Sequence, residues 1–548
     1  MGRRLNGAVL ALGVCLAVGA EAKPRMMLRF DVGQTSTVEQ WQTMKAALAE
    51  NPGCCDEVWF STGDAYPALD WHRRHAAIVA TAMEDVRKMG IVPSLQVEGT
   101  IGHSDFYVPW QSVKDWTGWT GSTGVENKYC SCPRDRKFLA YIRGLARIYA
   151  ELKFASIWLD DDLRFTNHRP ATVGSLPGCW CATCLSQFNV ETKGSWTRDA
   201  LAQAVKAAPG GPLEQAWLEF SARGLAGVAR AFAEEVRRIS PTTMMAMQHA
   251  YHDQHVVVVK EVLKTLHEVM GTPVGSRPGG AEYYDVFPHE QVVKSQLSTR
   301  YIKKLGNPAY VGTWCPEIES WPRTYGSRSG QSVVIEAFSS LAYGMNAVSM
   351  LIMFEPSEKN ALYSKTLLKP LSEANVVLQA YATANEGTVP AGFTYDFTEA
   401  GRLEYYLFSI SGVPVLPGPG KELGVLTKED YELDVRKATS AVVQRKRDEL
   451  DARAKGTPAV LKSPFVGVLV PRVTPCGELR TVALLNTRID VQGPVTVALR
   501  GVPQAAKTAV WHELRKAPVS LPIERKDGQM TVTVPSVGAW NGGWIGFE

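Results

Sequence analysis

The segment Ser156-Ile-Trp-Leu-Asp-Asp-Asp-Leu-Arg164 joins a short apolar run to three consecutive carboxylates. Apolar runs of this length, bounded by polar residues, are typical of buried strands in a parallel sheet. Outward from this segment in both directions, short apolar or β-branched runs alternate with helical stretches from about residue 25 to 369. The alternation predicts βαβ units and therefore a parallel sheet.

Eight strands of this kind are predicted, and eight strand–helix units favour a closed (β/α)8 TIM barrel over an open doubly wound sheet. No Gly-rich phosphate fingerprint follows the first strand, which argues against a dinucleotide-binding fold. The predicted strands are Met26–Asp31, Glu57–Ser61, Ile91–Val97, Ser156–Asp161, Thr243–His249, Thr272–Ser276, Ala309–Thr313 and Ala347–Phe354. The predicted helices between them include Val38–Glu50, His75–Lys88, Arg136–Leu152, Leu213–Ile239 and Ser329–Gly344.

Four segments of the chain differ in composition and pattern. Residues 1–22 have the positive start, apolar run and small-x-small ending of a signal peptide, which predicts a secreted or periplasmic protein. The catalytic barrel is predicted over 23–370 and a small α/β connector over 371–456. Short alternating runs such as Val495–Leu499 predict a C-terminal antiparallel β-sandwich over 457–548. No segment after the first 22 residues has the roughly eighteen uninterrupted apolar residues of a membrane span.

The balance of charge limits the classes of partner. The 548 residues include 59 Lys or Arg and 55 Asp or Glu, for a formal net charge of +4. Because no long basic face stands out, nucleic acid is not expected as a partner. The 15 Trp and 18 Tyr point instead to carbohydrate, since aromatic faces stack on the apolar C–H surfaces of sugar rings.

Polar side chains follow nearly every predicted strand. Barrel enzymes place their chemistry where strands end and βα loops begin. A purely structural barrel has no reason to concentrate carboxylates at one rim, so this pattern favours catalysis. The rim residues are Asp31, Glu98, Asp160, Asp161, Asp162, His249, Glu282, Glu317, Glu319 and Glu355.

Two acidic segments supply the candidate catalytic pair. Three adjacent carboxylates after strand four repel one another, which favours the protonated form of one of them unless Arg164 or a metal compensates. Asp161 or Asp162 is therefore the candidate general acid. After strand seven, Glu317 or Glu319 is the candidate nucleophile, and retention of configuration is expected if the two carboxyls lie about 5–5.5 Å apart.

Substrate contacts are predicted around this pair. Trp314 and Trp321 flank the two glutamates as candidate sugar platforms. The other predicted substrate-binding residues are Asp31, Glu98, His103, Asp160, Arg164, His249, Glu282 and Glu355.

Two alternatives to this assignment stay open. In one, a strand-four aspartate is the nucleophile and Glu282 or Asp285 is the acid, as in barrels that act on α-linkages. In the other, the barrel binds carbohydrate without catalysis.

The cysteines give the strongest local signal, in Cys179-Trp-Cys-Ala-Thr-Cys184 and the earlier Cys130-Ser-Cys132. Four converging thiolates make the closed tetrahedral shell of structural zinc. The predicted ligands are Cys179, Cys181, Cys184 and one of Cys130 or Cys132, with Cys132 taken as the fourth. Disulfides are the alternative, because an oxidising compartment favours them. Either role is structural, since four thiolates leave no open position for substrate, and no organic cofactor is expected.

The stretch from Trp158 through Phe188 resembles the β-galactosidases of glycoside hydrolase family 42. In that family a strand-four Trp precedes the acid/base segment, a Cys-x-Cys-x-x-Cys zinc loop follows, and strand seven carries a glutamate nucleophile. The resemblance covers essentially the barrel, from about residue 25 to 360, and implies a glycosidase acting on oligo- or polysaccharide.

Two departures from the family pattern bear on activity and assembly. Aligned on the strand-four Trp, the family's Asn-Glu pair falls on Asp162 and Leu163, so Asp161 or Asp162 has to replace the expected acid. The segment Gly412-Val-Pro-Val-Leu-Pro resembles a reduced remnant of the family's trimerisation domain, which leaves the oligomeric state open.

Overall fold

In the computed structural model, a parallel β-barrel forms the N-terminal part of the protein. The structure describes residues 25–63, 66–102, 113–165, 176–250, 253–280, 283, 285, 290–321, 324, 326–352, 364–395, 407–526 and 529–548. Its parallel sheet has the strand order β10-β11-β1-β2-β3-β6-β7-β8-β9, while β4 and β5 pair as a separate hairpin. These strands are β1 Arg25–Arg29, β2 Glu57–Ser61, β3 Val92–Val97, β4 Gly118–Thr120, β5 Glu126–Ser131, β6 Ser156–Leu159, β7 Met244–Ala250, β8 Val274–Gly279, β9 Val311–Trp314, β10 Glu317–Glu319 and β11 Ala347–Leu351.

Strand β9 overlaps the predicted seventh strand Ala309–Thr313, and β10 continues that strand beyond its predicted end after an interruption at Cys315-Pro316. The first half, β9, pairs with β8 and the second half, β10, with β11. The backbone N–H of Ser349 also donates to the carbonyl of Pro316 at 3.4 Å. The two ends of the sheet therefore meet at this chain segment, which confirms the predicted (β/α)8 barrel.

Helices surround the barrel and bury their apolar faces on it. The predicted helix at Val38–Glu50 is found with those bounds, begun by a capping box in which Thr37 accepts from the N–H of Gln40. Asp135 similarly caps α3 by accepting from two backbone N–H groups. The helices of this part are α1 Val38–Glu50, α2 Leu69–Lys88, α3 Arg136–Ala150, α4 Ala182–Thr192, α5 Arg198–Ala207, α6 Pro212–Ile239, α7 Val256–Met270, α8 Glu290–Leu305, α9 Gly330–Ala342 and α10 Lys369–Ala384.

An apolar layer crosses the barrel interior, one step above Glu57 and Ser156 near the N-terminal ends of the strands. Trp59 and Trp158 stack there with ring centroids 4.3 Å apart and an interplanar angle of 20°. Met27, Ala246 and Cys315 complete the layer with other buried side chains. Because side chains alternate along each strand, the next inward-facing position of every strand lies closer to the C-terminal rim.

The C-terminal part is a β-sandwich. One sheet has the order β13-β12-β15-β16-β22-β18-β19 and the other β14-β17-β21-β20, and both contribute to one apolar core. Short helices α11 Lys428–Tyr431 and α12 Ser440–Arg453 precede most of these strands. The strands are β12 Val389–Thr394, β13 Lys421–Val425, β14 Ala459–Leu461, β15 Gly467–Val473, β16 Leu479–Asn486, β17 Val495–Leu499, β18 Thr508–Glu513, β19 Val519–Pro522, β20 Glu524–Lys526, β21 Gln529–Val534 and β22 Gly542–Phe547.

The predicted division at 456/457 does not separate two sheets. Strand β12 lies in the predicted connector, yet it pairs antiparallel with β15 of the predicted sandwich. Strand β13 then extends the same sheet through a parallel pairing with β12. The connector therefore contributes two strands to the sandwich.

The sandwich packs against barrel helices α9 and α10. Gln331 Nε2 donates to the carbonyl of Trp540 at 3.0 Å, and Arg472 Nη1 donates to the carbonyl of Ala342 at 3.3 Å. The rings of Tyr381 and Trp544 lie 5.8 Å apart across the same contact. Within the described ranges, no helix is both long enough and apolar enough to cross a bilayer.

Candidate active site

A polar layer lies directly above the apolar one, toward the C-terminal ends of the strands. Its side chains are almost completely withdrawn from solvent and belong to six different strands or strand ends. They are Arg29 on β1, Gln96 on β3, Asp160 after β6, Gln248 on β7, Arg277 on β8 and Glu317 on β10.

Glu317 is the centre of this layer. Its residue is 3% exposed, and one carboxylate oxygen accepts from Arg277 Nη1. Its other oxygen accepts from the Tyr283 hydroxyl at 3.3 Å. The Nη1 atom of Arg29 lies 3.8 Å from Glu317 Oε1, the oxygen that accepts from Arg277. Glu317 is thus a buried carboxylate that two guanidinium groups and a phenol orient at the rim.

Arg277 links Glu317 to the strand-four side of the barrel. Its Nε and Nη2 donate to Gln248 Oε1 at 3.2 and 3.0 Å, and Gln248 Nε2 donates to Asp160 Oδ1 at 3.2 Å. Burial alone would lower the pKa of Arg277, but Glu317 and the nearby aspartates reverse that effect and raise it. The guanidinium therefore keeps its charge, and the predicted residue Asp160 belongs to this network.

Arg29 holds the second glutamate. Its Nη1 lies 3.7 Å from Glu319 Oε2, and its Nε donates to Gln96 Oε1 at 2.8 Å. Gln96 in turn donates to Glu98, which is half-buried. The structure therefore brings Glu317 and Glu319 to one arginine and places Glu98 at the edge of the same network.

The two candidate acids after strand four differ in surroundings. Asp161 has 16% of its side chain exposed and lies 3.6 Å from Arg164 Nη1. Asp162 is fully buried and accepts from the Thr100 hydroxyl and, at 2.7 Å, from the N–H of Gly102. Asp162 therefore ties the third βα loop to the fourth, and Asp161 is the more accessible carboxylate.

Leu163 lies where the resemblance predicts a glutamate. It is 1% exposed and belongs to the main apolar core. The position therefore offers no proton donor, and its side chain points into packed hydrocarbon.

Gly279 makes room for Glu317. A Cβ atom added at this glycine would lie 2.3 Å from the Cβ of Glu317 and 2.6 Å from Arg277 Nη1. The strand-six backbone consequently approaches the carboxylate as closely as it does only because the residue has no side chain.

Four other predicted contacts lie away from the polar layer. His249 Nε2 and the Ser276 hydroxyl form a hydrogen bond of 2.8 Å on the face of the sheet that points away from the polar layer. The His249 ring lies 5.2 Å from the Tyr301 ring of α8. Trp314 is 7% exposed in the core beneath the helices. Asp31 accepts from the N–H of Gly33 as a helix cap. Trp321 is 47% exposed at the rim, so of the two tryptophans only Trp321 is placed to meet a ligand.

Three predicted residues, His103, Glu282 and Glu355, lie outside the described residues. Asp285, the alternative acid, is described: it accepts from the N–H of Ser329 at 2.7 Å and lies 3.6 Å from Arg328 Nε. It is held as a loop anchor beside the cluster.

The sequence analysis missed the residues that hold the carboxylates. Arg29 and Gln96 lie two residues before the rim positions Asp31 and Glu98, so period-two counting along each strand would have found them. Arg277 lies one residue beyond the predicted end of strand six at Ser276. On strand five the sequence analysis selected His249 instead of the adjacent Gln248. Because inward and outward side chains alternate along a strand, the residue next to an inward-facing one lies on the opposite face.

A cysteine cluster lies between the third and fourth βα loops. The Sγ atoms of Cys132, Cys179, Cys181 and Cys184 are all buried and within 4.8 Å of one another. Cys132 Sγ lies 3.5 Å from Cys181 Sγ and 3.6 Å from Cys184 Sγ. These separations are too long for disulfides and match the edges of about 3.8 Å expected around a tetrahedral ion with 2.3 Å bonds to sulfur.

Cys130 is not part of this cluster. Its Sγ donates to the carbonyl of Gly102 at 3.2 Å. The structure therefore selects Cys132 of the two predicted alternatives, and the four sulfur atoms form a group that can hold a metal ion.

The sequence matches no protein-family model, and no curated protein is similar to it in sequence. Solved structures nevertheless have the same fold. A catalytic mutant of a family 42 β-galactosidase from G. stearothermophilus is 10% identical with a TM-score of 0.57, over 96% of this chain and 99% of that one. The β-galactosidase from Bacillus circulans sp. alkalophilus is 10% identical with a TM-score of 0.56, over 93% and 99%. That from Marinomonas ef1 is 8% identical with a TM-score of 0.56, over 95% and 100%.

Proposed function

We propose that this chain, which has the fold of family 42 β-galactosidases, is a glycoside hydrolase that cleaves O-glycosidic bonds of oligo- or polysaccharide. The observation that carries the proposal is the setting of Glu317. A buried carboxylate at the C-terminal end of the seventh barrel strand, oriented by Arg277 and Tyr283, has the arrangement of a preorganised nucleophile. A purely structural barrel has no need of such a group at its rim.

In the proposed mechanism Glu317 attacks the anomeric carbon while Asp161 gives its proton to the departing glycosidic oxygen. The C–O bond to the leaving sugar breaks as the bond to the Glu317 oxygen forms. Asp161, now a carboxylate, then takes a proton from water, whose oxygen displaces Glu317 from the anomeric carbon. Two displacements retain the configuration. Asp161 is assigned as the acid/base because it is the more accessible of the two candidates, whereas Asp162 is committed to Thr100 and Gly102. Arg164, 3.6 Å from Asp161, favours its ionised form, which suits the second step, where Asp161 takes the proton from water.

A second candidate function is carbohydrate binding without catalysis. It is favoured by one observation, the burial of Leu163 at the position where the resemblance implies the acid. The α-glycosidase alternative is weakened by Asp285, because its carboxylate is engaged by Ser329 and Arg328.

Amide substitutions separate these functions. E317Q and D161N should each lower the turnover of aryl glycosides by about a hundredfold or more, with sugar affinity retained. E319Q and D162N are measured in the same series, on both α- and β-linked substrates. Asp70→Asn, an exposed carboxylate on α2, is the matched control and should leave turnover unchanged. Sugar binding by a wild-type protein that hydrolyses no glycoside would favour the binding function.

We further propose that Cys132, Cys179, Cys181 and Cys184 hold a structural Zn2+. The donor set of four buried thiolates suits zinc and leaves no open coordination position, so the ion would tie two βα loops together. Export is the remaining part of the proposal, and N-terminal sequencing of the mature protein tests whether residues 1–22 are removed.

A further inference from the structure

A second ionic cluster lies behind Tyr283, between helices α8 and α9. It consists of Lys294, Arg328 and Glu336, and each of the three side chains is 0% exposed. Lys294 Nζ lies 3.5 Å from one Glu336 oxygen, and Arg328 Nη1 lies 2.7 Å from the other. The two cations share the Glu336 carboxylate, and Asp285 Oδ1 lies 3.6 Å from Arg328 Nε, so the buried charges are balanced.

The cluster contacts both segments that bear the candidate site. The Lys294 ammonium lies 5.0 Å from the ring centroid of Tyr283, within the range of a cation–π interaction. Arg328 Nη1 donates to the backbone carbonyl of Glu319 at 3.3 Å. One end of the cluster thus holds the phenol that donates to Glu317, and the other holds the strand that carries both glutamates.

Stability alone is a poor reason for this cluster. Replacing a buried ion pair by apolar residues of similar volume is often neutral or stabilising, because desolvation of the charges offsets their attraction. A buried ionic cluster, placed with its Lys294 ammonium against the ring that orients a reactive carboxylate, points instead to a role in the site.

We propose that Lys294, Arg328 and Glu336 are positioning residues for the candidate nucleophile. They hold the Tyr283 ring in place with the Lys294 ammonium behind it, so that the phenol donates a stronger and better aligned hydrogen bond to Glu317. This inference rests on the proposed function and adds three residues that do not touch substrate.

The charged groups around the cluster agree with this role. Burial lowers the pKa of Lys294, and the Glu336 carboxylate opposes that effect. Glu317 and Glu319 also act to raise the pKa of Lys294, whereas Arg328 acts to lower it. Burial, reinforced by Glu317, raises the pKa of Tyr283, so its hydroxyl stays protonated and acts as the donor.

The test is the double variant K294M/E336Q, which removes one charge of each sign while conserving side-chain length. We expect kcat to fall by about tenfold or more with KM nearly unchanged, because the effect is on orientation and charge rather than on sugar binding. The acid limb of the kcat/KM profile should move to higher pH by about half a unit to one unit, since the Lys294 charge next to the Tyr283 ring is lost. K294R, which keeps the charge, should recover much of the activity.

The matched control is K304M/D253N, an ion pair that also begins on α8 but is exposed, with Asp253 74% accessible. It should leave kcat and the pH profile unchanged. Y283F removes the hydrogen bond itself and should shift the acid limb in the same direction as the double variant.

The outcomes separate this inference from the proposed function. Absence of turnover by the wild-type protein refutes the glycosidase and leaves the cluster without a role. The inference is overturned, and the glycosidase proposal stands, if the wild type is active and a folded K294M/E336Q variant has an unchanged kcat and pH profile. If the double variant does not fold, the single variant K294M decides, because Glu336 stays paired with Arg328 in it. A shifted acid limb in K294M supports the role, and an unshifted one refutes it.

Discussion

Gly279 is the residue at which one added carbon would disturb the site most directly. Its missing Cβ faces the Cβ of Glu317 and the guanidinium of Arg277. Gly279→Ala should lower turnover by about a hundredfold and destabilise the fold by about 1–3 kcal/mol, because neither neighbour can move without breaking the ion pair. Enzyme assays and urea unfolding measure both effects.

Gly227 provides the matched control. It lies within helix α6, and an added Cβ would meet nothing within 4 Å. Gly227→Ala should therefore stabilise the protein by up to about 1 kcal/mol and leave turnover unchanged. Equal behaviour of the two alanine variants would contradict the close packing described around Glu317.

At the scale of elements, the third and fourth βα loops should depend on the cysteine cluster for their stability. Cys132→Ser should remove bound zinc and lower the thermal midpoint, since one of four thiolate ligands is lost. Cys130→Ser changes the neighbouring thiol outside the cluster and should keep one zinc per chain. Metal analysis beside thermal unfolding of both variants checks this. A Cys132→Ser protein with full zinc content would exclude the site.

Two buried histidines on helix α2 should make the stability of the protein depend on pH. Burial lowers the pKa of His72 to about 3, with a further contribution from His75, and burial lowers that of His75 to about 4. Below the ordinary value of about 6.5 the unfolded chain binds protons that the folded chain does not, so stability falls as the pH decreases. The loss begins near pH 6.5 and reaches about 2 kcal/mol for each histidine at pH 5.

Urea unfolding at pH 7.5 and at pH 5 measures this loss. In H72Q/H75Q the difference in unfolding free energy between the two pH values should shrink, even though the variant loses hydrogen bonds to Tyr141 and Tyr149 and is less stable throughout. An undiminished difference would show that other groups cause the acid sensitivity.

The elements themselves were predictable because each strand is a short apolar run with a polar end. All eight barrel strands occur in the predicted order, and Glu57–Ser61 has the predicted bounds. The side-chain register was less predictable. Strand six was predicted to end at Ser276, whereas β8 continues to Gly279, which placed Arg277 in a loop instead of in the barrel. Hydrophobicity cannot mark the end of a strand whose last inward residues are charged.

The candidate site was predictable as a set of carboxylates but not as a network. Glu317, Glu319, Asp160 and Asp161 were identified from their positions after strands. Their partners Arg29 and Arg277 lie within strands, and their importance depends on which strands become neighbours, a property of barrel closure rather than of local sequence.

At the scale of the whole molecule, the contact between barrel and sandwich should determine cooperativity. Trp544 is 4% exposed, stacks 3.8 Å from His512 and packs near Tyr381 of α10. Trp544→Ala should destabilise the protein by about 3–5 kcal/mol and separate the unfolding of barrel and sandwich into two transitions. Scanning calorimetry measures both.

An exposed contact at the same interface is the control. Arg515 and Glu373 form a solvent-accessible ion pair across it at 2.7 Å. Arg515→Ala should leave a single transition, because exposed pairs contribute little. Two transitions in that variant, or one in Trp544→Ala, would contradict the importance assigned to the aromatic contact.

The interrupted seventh strand has a consequence for the order of events during folding. Strand β1 must pair with β11, more than three hundred residues later in the chain, before the ring is complete. Such long-range pairing is slow. Because Glu317 lies on the half-strand that joins β11, its carboxylate meets Arg29 of β1 only as the ring closes. During refolding, secondary structure should therefore return early, and catalytic competence should be the last property to recover.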